Sequence, residues 1–254
     1  MFFVVVLAVN LLMLSYVVWR GWQVFELFPK LRLTYVVFNV LGFAIMLFNF
    51  MVRDALPDKI AHMVAFIGYS YIIVLIYLVL SFLFVDMVRL INAIFHITST
   101  SLLQFRFWAL VTSVGLIVLA MLVGNYKFNN PQVRHLELTA HKPSQNKSLR
   151  IVVASDLHLG VAINREDLAK YVDLINKQKP DIVFLPGDIA DNITAPIIKQ
   201  KMGEEFKRIQ AIHGVFVISG NHEYFGEHPK GLENYLTPYG IQYLRDTAVL
   251  VDSS

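Results

Sequence analysis

Three short polar segments hold the residues of this chain whose types and spacing could perform chemistry. They are Ser155-Asp156-Leu157-His158-Leu159-Gly160, Pro186-Gly187-Asp188 and Gly220-Asn221-His222-Glu223. Their side chains supply carboxylate oxygens, imidazole nitrogens and one amide oxygen, which are ligands for hard and borderline divalent cations. The chain has no cysteine, so disulfides, thiolate metal sites and a cysteine nucleophile are excluded. These residue types predict a metal site built from oxygen and nitrogen ligands.

The spacing within the segments suits such a site. Asp156 and His158 are two residues apart, so in extended chain their side chains point to one side. Gly187 and Gly220 remove Cβ bulk directly before Asp188 and Asn221, which lets the backbone turn tightly beside a ligand. A single Asp or Asn after a strand is more often a helix cap or turn residue. Three such segments together favour a metal site.

Each segment follows a run that is typical of a buried β-strand. The three runs cover residues 149–155, 181–185 and 215–219. After the first run, residues 165–178 place Leu168, Val172 and Ile175 on one helical face. One polar helix is predicted at about 195–212, before the third run, and a further short unit follows at 229–251. Alternating strands and helices predict a parallel sheet covered on both faces. Ligands gather at the carboxyl ends of such strands.

The three motifs resemble the first three motifs of the calcineurin-like metallophosphoesterases, and their separation of about 30 residues is similar as well. The longer strings SDLHLG and PGDIAD, together with an apolar first half, resemble the bacterial branch of membrane-associated predicted phosphohydrolases. The resemblance covers about 149–251. It implies an α/β metallophosphoesterase-type sheet flanked by helices, and hydrolysis of a phosphoester or phosphoanhydride.

The resemblance also implies roles for individual residues. Asp156 and His158 would bind a first metal, Asp188 would bridge two metals, and Asn221 would bind the second. The two divalent cations, for which Mn, Fe and Zn all fit, would generate a bridging hydroxide that attacks phosphorus. His222 would be catalytic beside the leaving group. Glu223 would either orient His222 or lie solvated at a helix start.

Family members carry further metal-binding histidines downstream, one isolated and a pair in a Gly-His-x-His motif. This sequence reaches Ser254 without them, and His228 lies too close to His222 to match the isolated one. We therefore expect a domain that is truncated as written and lacks part of its ligand set. A catalytically silent membrane binding protein that retains the phosphoesterase scaffold is the alternative function.

The first half of the chain has the composition of a membrane anchor. Of 254 residues 56% are hydrophobic, which excludes a disordered chain, and residues 1–125 hold only 7 basic and 4 acidic residues. The net charge of +3 belongs to this half, so nucleic-acid binding is not predicted. Four uncharged runs are long enough to span a bilayer, namely 2–19, 35–52, 60–85 and 107–126.

Other features of this half are less distinctive. The first run lacks a basic region before it and meets Trp19 and Arg20 where a cleavage site would fall, so we interpret it as an uncleaved helix. Residues 90–105 are predicted to form a loop or interfacial segment. Nothing in the spans indicates a charged relay. The predicted domains are therefore a four-helix transmembrane domain at 1–126, a linker at 127–148 with an edge strand at about 132–140, and the phosphoesterase portion at 149–254.

The distribution of Lys and Arg sets the expected orientation. Four spans place both termini on one side, and the basic residues divide five to five between the two sides. No basic residue precedes the first span and three soon follow it, which predicts that residues 127–254 lie outside the cytoplasm of a bacterial cell. The expected partners are the lipid bilayer and a phosphorylated, lipid-linked substrate, and the sequence does not indicate an oligomeric state.

Overall fold

The computed structural model describes residues 2–52, 55–96, 101–139, 148–226 and 230–251. The chain divides into two compact units. Unit 1 comprises Met1–Ala55 and Met63–Leu136, and unit 2 comprises Leu56–His62 and Glu137–Ser254. The last change of unit along the chain, after Leu136, falls inside the predicted linker at 127–148.

Four long helices account for almost all of unit 1. They are α1 (Phe2–Val24), α2 (Pro29–Val52), α3 (Asp58–Phe95) and α4 (Leu102–Asn129). All four are long and apolar enough to cross a membrane. Their shared core includes Val17, Phe43 and Leu75, while large apolar side chains such as Leu12 and Phe38 are exposed. An apolar exterior around an apolar core is what a lipid solvent requires.

The predicted loop at 90–105 is wrong for most of its described residues. The structure places 90–95 in α3 and 102–105 in α4, and 97–100 lie outside the described residues. Helix α3 has 38 residues and is about 57 Å long at 1.5 Å per residue, more than a bilayer core of about 30 Å requires. Among the polar residues that suggested a loop, Asn92 lies in α3, His96 follows it directly and Ser101 directly precedes α4.

The predicted edge strand at about 132–140 is absent from the described part of that range. Residues 131–139 are irregular and exposed, with Leu136 at 80% and Leu138 at 84% exposure, and residue 140 lies outside the described residues. Alternating apolar residues permit a strand, but a strand forms only where a neighbouring strand supplies hydrogen-bond partners. Among the described residues, strand pairing begins at Ile151.

Unit 2 contains a four-stranded parallel sheet. Its strands are β1 (Ile151–Val153), β2 (Ile182–Pro186), β3 (Val215–Ile218) and β4 (Ile241–Tyr243), in that spatial order. The register pairs Val153 with Phe184 and Phe184 with Phe216. The connecting helices are α5 (Arg165–Lys177), α6 (Ala195–Lys199), α7 (Gly203–Phe206), α8 (Asn221–Phe225) and α9 (Lys230–Leu236), with a 3₁₀ turn at Thr237–Tyr239.

The sequence predicted helices on both faces of this sheet. In the structure, the helices of unit 2 pack on one face. The core joins Val183, Leu185 and Val217 of the strands to helix residues that include Leu168 and Phe206. Right-handed crossovers between strands in the order β1-β2-β3-β4 bring every connecting helix to the same face. On the opposite face, in the part of the chain described, Ile151, Val153 and Ile218 are 45%, 62% and 45% exposed, whereas Ile182 and Phe216 are buried.

The helix patterns are confirmed in one case and corrected in another. Helix α5 begins where Asn164 accepts backbone hydrogen bonds from Glu166 and Asp167, and it buries Leu168, Val172 and Ile175 as predicted. The single helix predicted at 195–212 is instead the short pair α6 and α7. Lys201 between them has φ +54°, a left-handed conformation that interrupts a right-handed helix.

Candidate metal centre

The polar segments after β1 and β2 run side by side beyond the ends of the strands. His158 N–H donates to the carbonyl of Asp188 at 2.9 Å, and Leu159 N–H donates to that of Ile189 at 2.7 Å. Parallel pairing thus continues in irregular form past the sheet. The expectation that the strand ends bring their polar segments to one edge is confirmed by these contacts.

Three side chains converge at this edge, one from each segment. A ring nitrogen of His158, a carboxylate oxygen of Asp188 and a ring nitrogen of His222 all lie within 4.8 Å of one another. The two imidazole rings meet edge to face with centroids 4.4 Å apart. Asp188 is only 8% exposed, so its charge is held in a site that is largely screened from solvent.

The backbone is strained at the same place. Asp156, His158 and Asp188 have φ of +57°, +45° and +53°. Such left-handed conformations cost about 1 kcal/mol or more in residues other than glycine and persist only where the surroundings enforce them. Here the enforcing contacts are the backbone hydrogen bonds between the two segments.

Two glycines allow the second and third segments to touch. Gly187 has φ +86°, and a Cβ on it would lie 2.6 Å from the Cα of Gly220. A Cβ on Gly220 would lie 2.2 Å from the Oδ1 atom of Asp188. Both distances are shorter than real Cβ contacts, so the predicted need for glycine beside the site is confirmed.

Glu223 holds these segments together through their backbone. It is 3% exposed, and its carboxylate accepts hydrogen bonds from the N–H groups of Asp188 at 3.0 Å, Ala190 at 3.0 Å and Gly220 at 2.8 Å. The sequence suggested either an orienting partner for His222 or a solvated side chain. The structure instead shows a buried carboxylate that bonds the backbone after β2 to the backbone after β3.

His222 is oriented by two different groups. Its backbone N–H donates to the Oδ1 atom of Asp188 at 2.9 Å, and its ring Nδ1 contacts the carbonyl oxygen of Asp191. A carbonyl can only accept a hydrogen bond, so Nδ1 carries the proton and Nε2 keeps its lone pair in the neutral ring. The role of the Asp191 carbonyl could not be found from the sequence, because a backbone acceptor leaves no signature in residue type.

The remaining two residues with a predicted role lie at the rim. A carboxylate oxygen of Asp156 is 4.0 Å from Nε2 of His158, and the Asp156 side chain is 66% exposed. Asn221 is the first residue of α8 and is exposed. The structure therefore brings His158, Asp188 and His222 together in one cluster and places Asp156 and Asn221 beside it.

This donor set fits a divalent cation. Two imidazole nitrogens and a carboxylate oxygen are ligands that Mn²⁺, Fe²⁺ and Zn²⁺ share. Hydrogen bonds also fix the orientation of His222, as is usual for groups around metal sites. The geometry within the described residues thus supports a cation at the carboxyl edge of the sheet.

Comparisons with known proteins agree with this geometry. Residues 149–252 match the family model for calcineurin-like phosphoesterases. Residues 149–252 of unit 2 are therefore similar to calcineurin-like phosphoesterases. No solved structure gives a significant match to this chain.

Relatives with this domain occur in animals and in bacteria. A transmembrane protein with a metallophosphoesterase domain from Danio rerio is 29% identical over 118 residues, 46% of this chain and 26% of the relative. The protein of the same name from Bos taurus is 28% identical over 126 residues, 49% of this chain and 28% of the relative. An uncharacterized metallophosphoesterase from Campylobacter jejuni is 31% identical over 120 residues, 46% of this chain and 31% of the relative.

The match spans about a quarter to a third of the length of these relatives. Because they include vertebrate proteins, the comparisons support the wider family and not its bacterial branch alone. Two of the relatives are named as transmembrane proteins, which agrees with the four apolar helices of unit 1 in indicating membrane association.

Proposed function

We propose that this chain belongs to a membrane-anchored, metal-dependent hydrolase that cleaves a phosphoester or phosphoanhydride. The observation that carries the proposal is the convergence at the carboxyl edge of the sheet of two proposed metal ligands, His158 and Asp188, with His222, the proposed acid–base group. The family of the matching domain supports phosphoester hydrolysis as the reaction.

In this proposal, Asp156, His158, Asp188 and Asn221 hold two divalent cations, with Mn, Fe or Zn all compatible with the ligands. Asp188 is assigned the bridging position, because a carboxylate offers two oxygens and its negative charge offsets repulsion between two cations. The cations would supply Lewis-acid polarisation of the phosphoryl oxygens and a nucleophile at neutral pH. Neutral Asn221 adds an oxygen without a charge that would repel phosphate.

His222 is assigned to the leaving group. Its Nδ1 faces the Asp191 carbonyl, so Nε2 is the atom available toward the site, where it can hydrogen-bond or protonate the departing oxygen. We expect His222→Ala to lower turnover by roughly 10²–10⁴-fold, the range typical of an acid–base group, while metal content stays unchanged. Loss of metal from His222→Ala would instead make this histidine a ligand.

The proposed substrate is phosphorylated and lipid-linked, and the support for this is that four helices are long and apolar enough to cross a bilayer. We further propose that residues 127–254 lie on the extracytoplasmic side, because three basic residues follow the first span and none precedes it. A bacterial cell membrane is the proposed location.

The test is hydrolysis of bis(p-nitrophenyl) phosphate by the full chain with and without Mn²⁺. Metal-dependent release of nitrophenolate that is lost in Asp188→Asn supports the proposal. Binding of Mn²⁺ without any turnover would favour the alternative, a catalytically silent membrane binding protein that retains the scaffold. Turnover that is independent of metal would contradict both the metal-dependent hydrolase and the catalytically silent binding protein.

A further inference from the structure

A second charged cluster lies inside unit 1, where the sequence indicated no charged relay. Arg20 near the end of α1, Asp86 and Arg89 near the end of α3, and Arg106 near the start of α4 come together there. The Asp86 carboxylate accepts hydrogen bonds from the Tyr16 hydroxyl at 2.7 Å and from Arg89 at 3.1 Å, and it also pairs with Arg20. Ion pairs among apolar helices are uncommon and are usually functional.

The cluster has more positive than negative charge. It lines a pocket formed by Arg20, Gln23, Asp86, Arg89 and Arg106 with apolar neighbours that include Phe82. Three guanidinium groups thus face one carboxylate. Glu26 lies near enough to attract Arg106, and with Glu26 counted an excess of one positive charge remains.

Several donors in the cluster have no acceptor. The Nε–H groups of Arg20 and Arg89 are buried and have no hydrogen-bond partner within the described part of the chain. In that same part, no carboxylate lies within 4 Å of the Arg106 guanidinium, whereas Arg20 and Arg89 both pair with Asp86. A buried donor left unpaired costs about 1–3 kcal/mol, so an added anion with several acceptor oxygens would relieve this cost.

The position of the pocket along the helices favours the depth of lipid head groups. Asp86 and Arg89 follow directly after the uncharged run 60–85, where the apolar part of α3 ends. Nearby, Trp19 and Trp22 are 54% and 45% exposed, and the guanidinium of Arg20 lies 4.2 Å from the ring centre of Trp19. Exposed tryptophans at helix ends are typical of the membrane interface.

We propose that this arginine pocket, defined by Arg20, Arg89 and Arg106 around Asp86, binds the phosphate group of an anionic membrane lipid. Guanidinium groups present forked donors that match phosphate oxygens, and the excess positive charge selects a head group without a cation of its own. Phosphatidic acid and phosphatidylglycerol fit these requirements. Phosphatidylcholine does not, because its choline cation offsets its phosphate.

The test measures lipid binding to the full chain in detergent by native mass spectrometry. Short-chain phosphatidic acid, phosphatidylglycerol and phosphatidylcholine are compared, and inorganic phosphate is assayed by its effect on the unfolding temperature. We expect the two anionic lipids to bind more tightly than phosphatidylcholine, and phosphate alone to have little effect. Equal binding of all three lipids would overturn the proposal. Stabilisation by phosphate that equals that by the lipids would assign the pocket to a soluble anion.

Arg106→Gln is the most informative variant, because no ion pair with Asp86 is lost with it. We expect it to weaken binding of the anionic lipids by about fivefold or more, equivalent to about 1 kcal/mol for one basic side chain. Lys30→Gln removes one exposed positive charge at the start of α2 and serves as the matched control, with binding unchanged. Arg106→Lys keeps the positive charge but not the forked donors of the guanidinium, so it should weaken lipid binding less than Arg106→Gln does. Equal weakening by Lys30→Gln and Arg106→Gln would show a general charge effect and overturn the pocket.

Discussion

Two carboxylates at the candidate site of unit 2 and one carboxylate of unit 1 are held in opposite ways. In unit 2, Glu223 accepts hydrogen bonds from three backbone N–H groups, and Asp188 accepts the backbone N–H of His222. In unit 1, Asp86 is surrounded by the side chains of Tyr16, Arg20 and Arg89. Backbone amides stabilise a carboxylate without cancelling its charge, whereas paired arginines more than cancel it.

This difference indicates which ligand each region would attract. The edge of the sheet keeps negative charge and imidazole lone pairs that suit a cation. The helix ends of unit 1 keep positive charge and unpaired N–H groups that suit an anion. A carboxylate thus supports opposite binding preferences according to the donors that hold it.

The largest effect is expected from Asp188→Asn. The amide keeps an oxygen for the His222 N–H but removes the charge that holds cations, so the catalytic efficiency should fall by about 10³-fold or more. The measurement is kcat/KM for a chromogenic phosphodiester. Asp173→Asn on α5 changes an exposed carboxylate in the same way and should leave the rate unchanged. Equal activity of Asp188→Asn and the unmodified chain would exclude Asp188 from the site.

Glu223→Gln tests the carboxylate that is held by backbone. One of its oxygens becomes an NH₂ group, so at least one of the backbone donors of Asp188, Ala190 and Gly220 would lose its acceptor. We expect a loss of about 1–3 kcal/mol in the free energy of unfolding and, through the displaced Asp188, weaker metal binding by about 10–100-fold. Thermal unfolding and Mn²⁺ titration measure the two effects. Unchanged stability would show that these three hydrogen bonds are dispensable.

Glu205 offers an arginine-held carboxylate within unit 2. It pairs with Arg165 at 2.8 Å and with Arg208. Burial on its own would raise the pKa of Glu205, but hydrogen bonds from Arg208 and Arg165 hold it below its ordinary value of 4.5. The folded state therefore binds fewer protons there than the unfolded state. The resulting stability is present above pH 4.5 and is lost as the pH falls through the lowered pKa.

Amide hydrogen exchange of α7 in the full chain tests this predicted loss of stability at low pH. Protection should decrease as the pH is lowered below 4.5 in the unmodified chain, after correction for the intrinsic exchange rate. Glu205→Gln should begin with lower protection and show a flatter dependence on pH. A steeper dependence in Glu205→Gln would mean that the ion pairs do not set the acid response.

The last prediction concerns the orientation of the chain in the membrane, and its test removes none of the interactions described above. Because the chain has no cysteine, single cysteines at Lys30 and Gln132 can be labelled on intact cells with an impermeant thiol reagent. We expect labelling at position 132 and not at position 30, which would place the arginine pocket and residues 127–254 on opposite sides of the membrane. The reverse pattern would place residues 127–254 in the cytoplasm and the arginine pocket outside.

The candidate site was predictable because its residues lie in short motifs at strand ends, where chain position fixes location. Asp188 and Gly220 could be placed from the apolar runs before them, and the glycines indicated close backbone approach. The contacts of Glu223 were not predictable, since they depend on which backbone N–H groups the folded segments present. The same limit explains why no pattern indicated a break at Lys201.

The arginine pocket shows the opposite situation. Arg20 and Asp86 are 66 residues apart and belong to different helices, so no local motif joins them. Hydropathy located the helices but not their rotation about their own axes, which decides which polar residues meet. The three strands that precede the motifs were predictable from their apolar runs, whereas the edge strand predicted at about 132–140 was wrong in its described part and the single-sided covering of the sheet required the strand order.

Direct binding of Mn²⁺ to the full chain tests the central claim, that the strand-end segments of unit 2 form a cation site. Electron paramagnetic resonance can follow the free ion during titration of the unmodified chain, His158→Ala, Asp188→Asn and the control Asp173→Asn. The account expects binding by the unmodified chain and by Asp173→Asn, and a loss of binding in His158→Ala and Asp188→Asn. Equal Mn²⁺ affinity in all four proteins would contradict it.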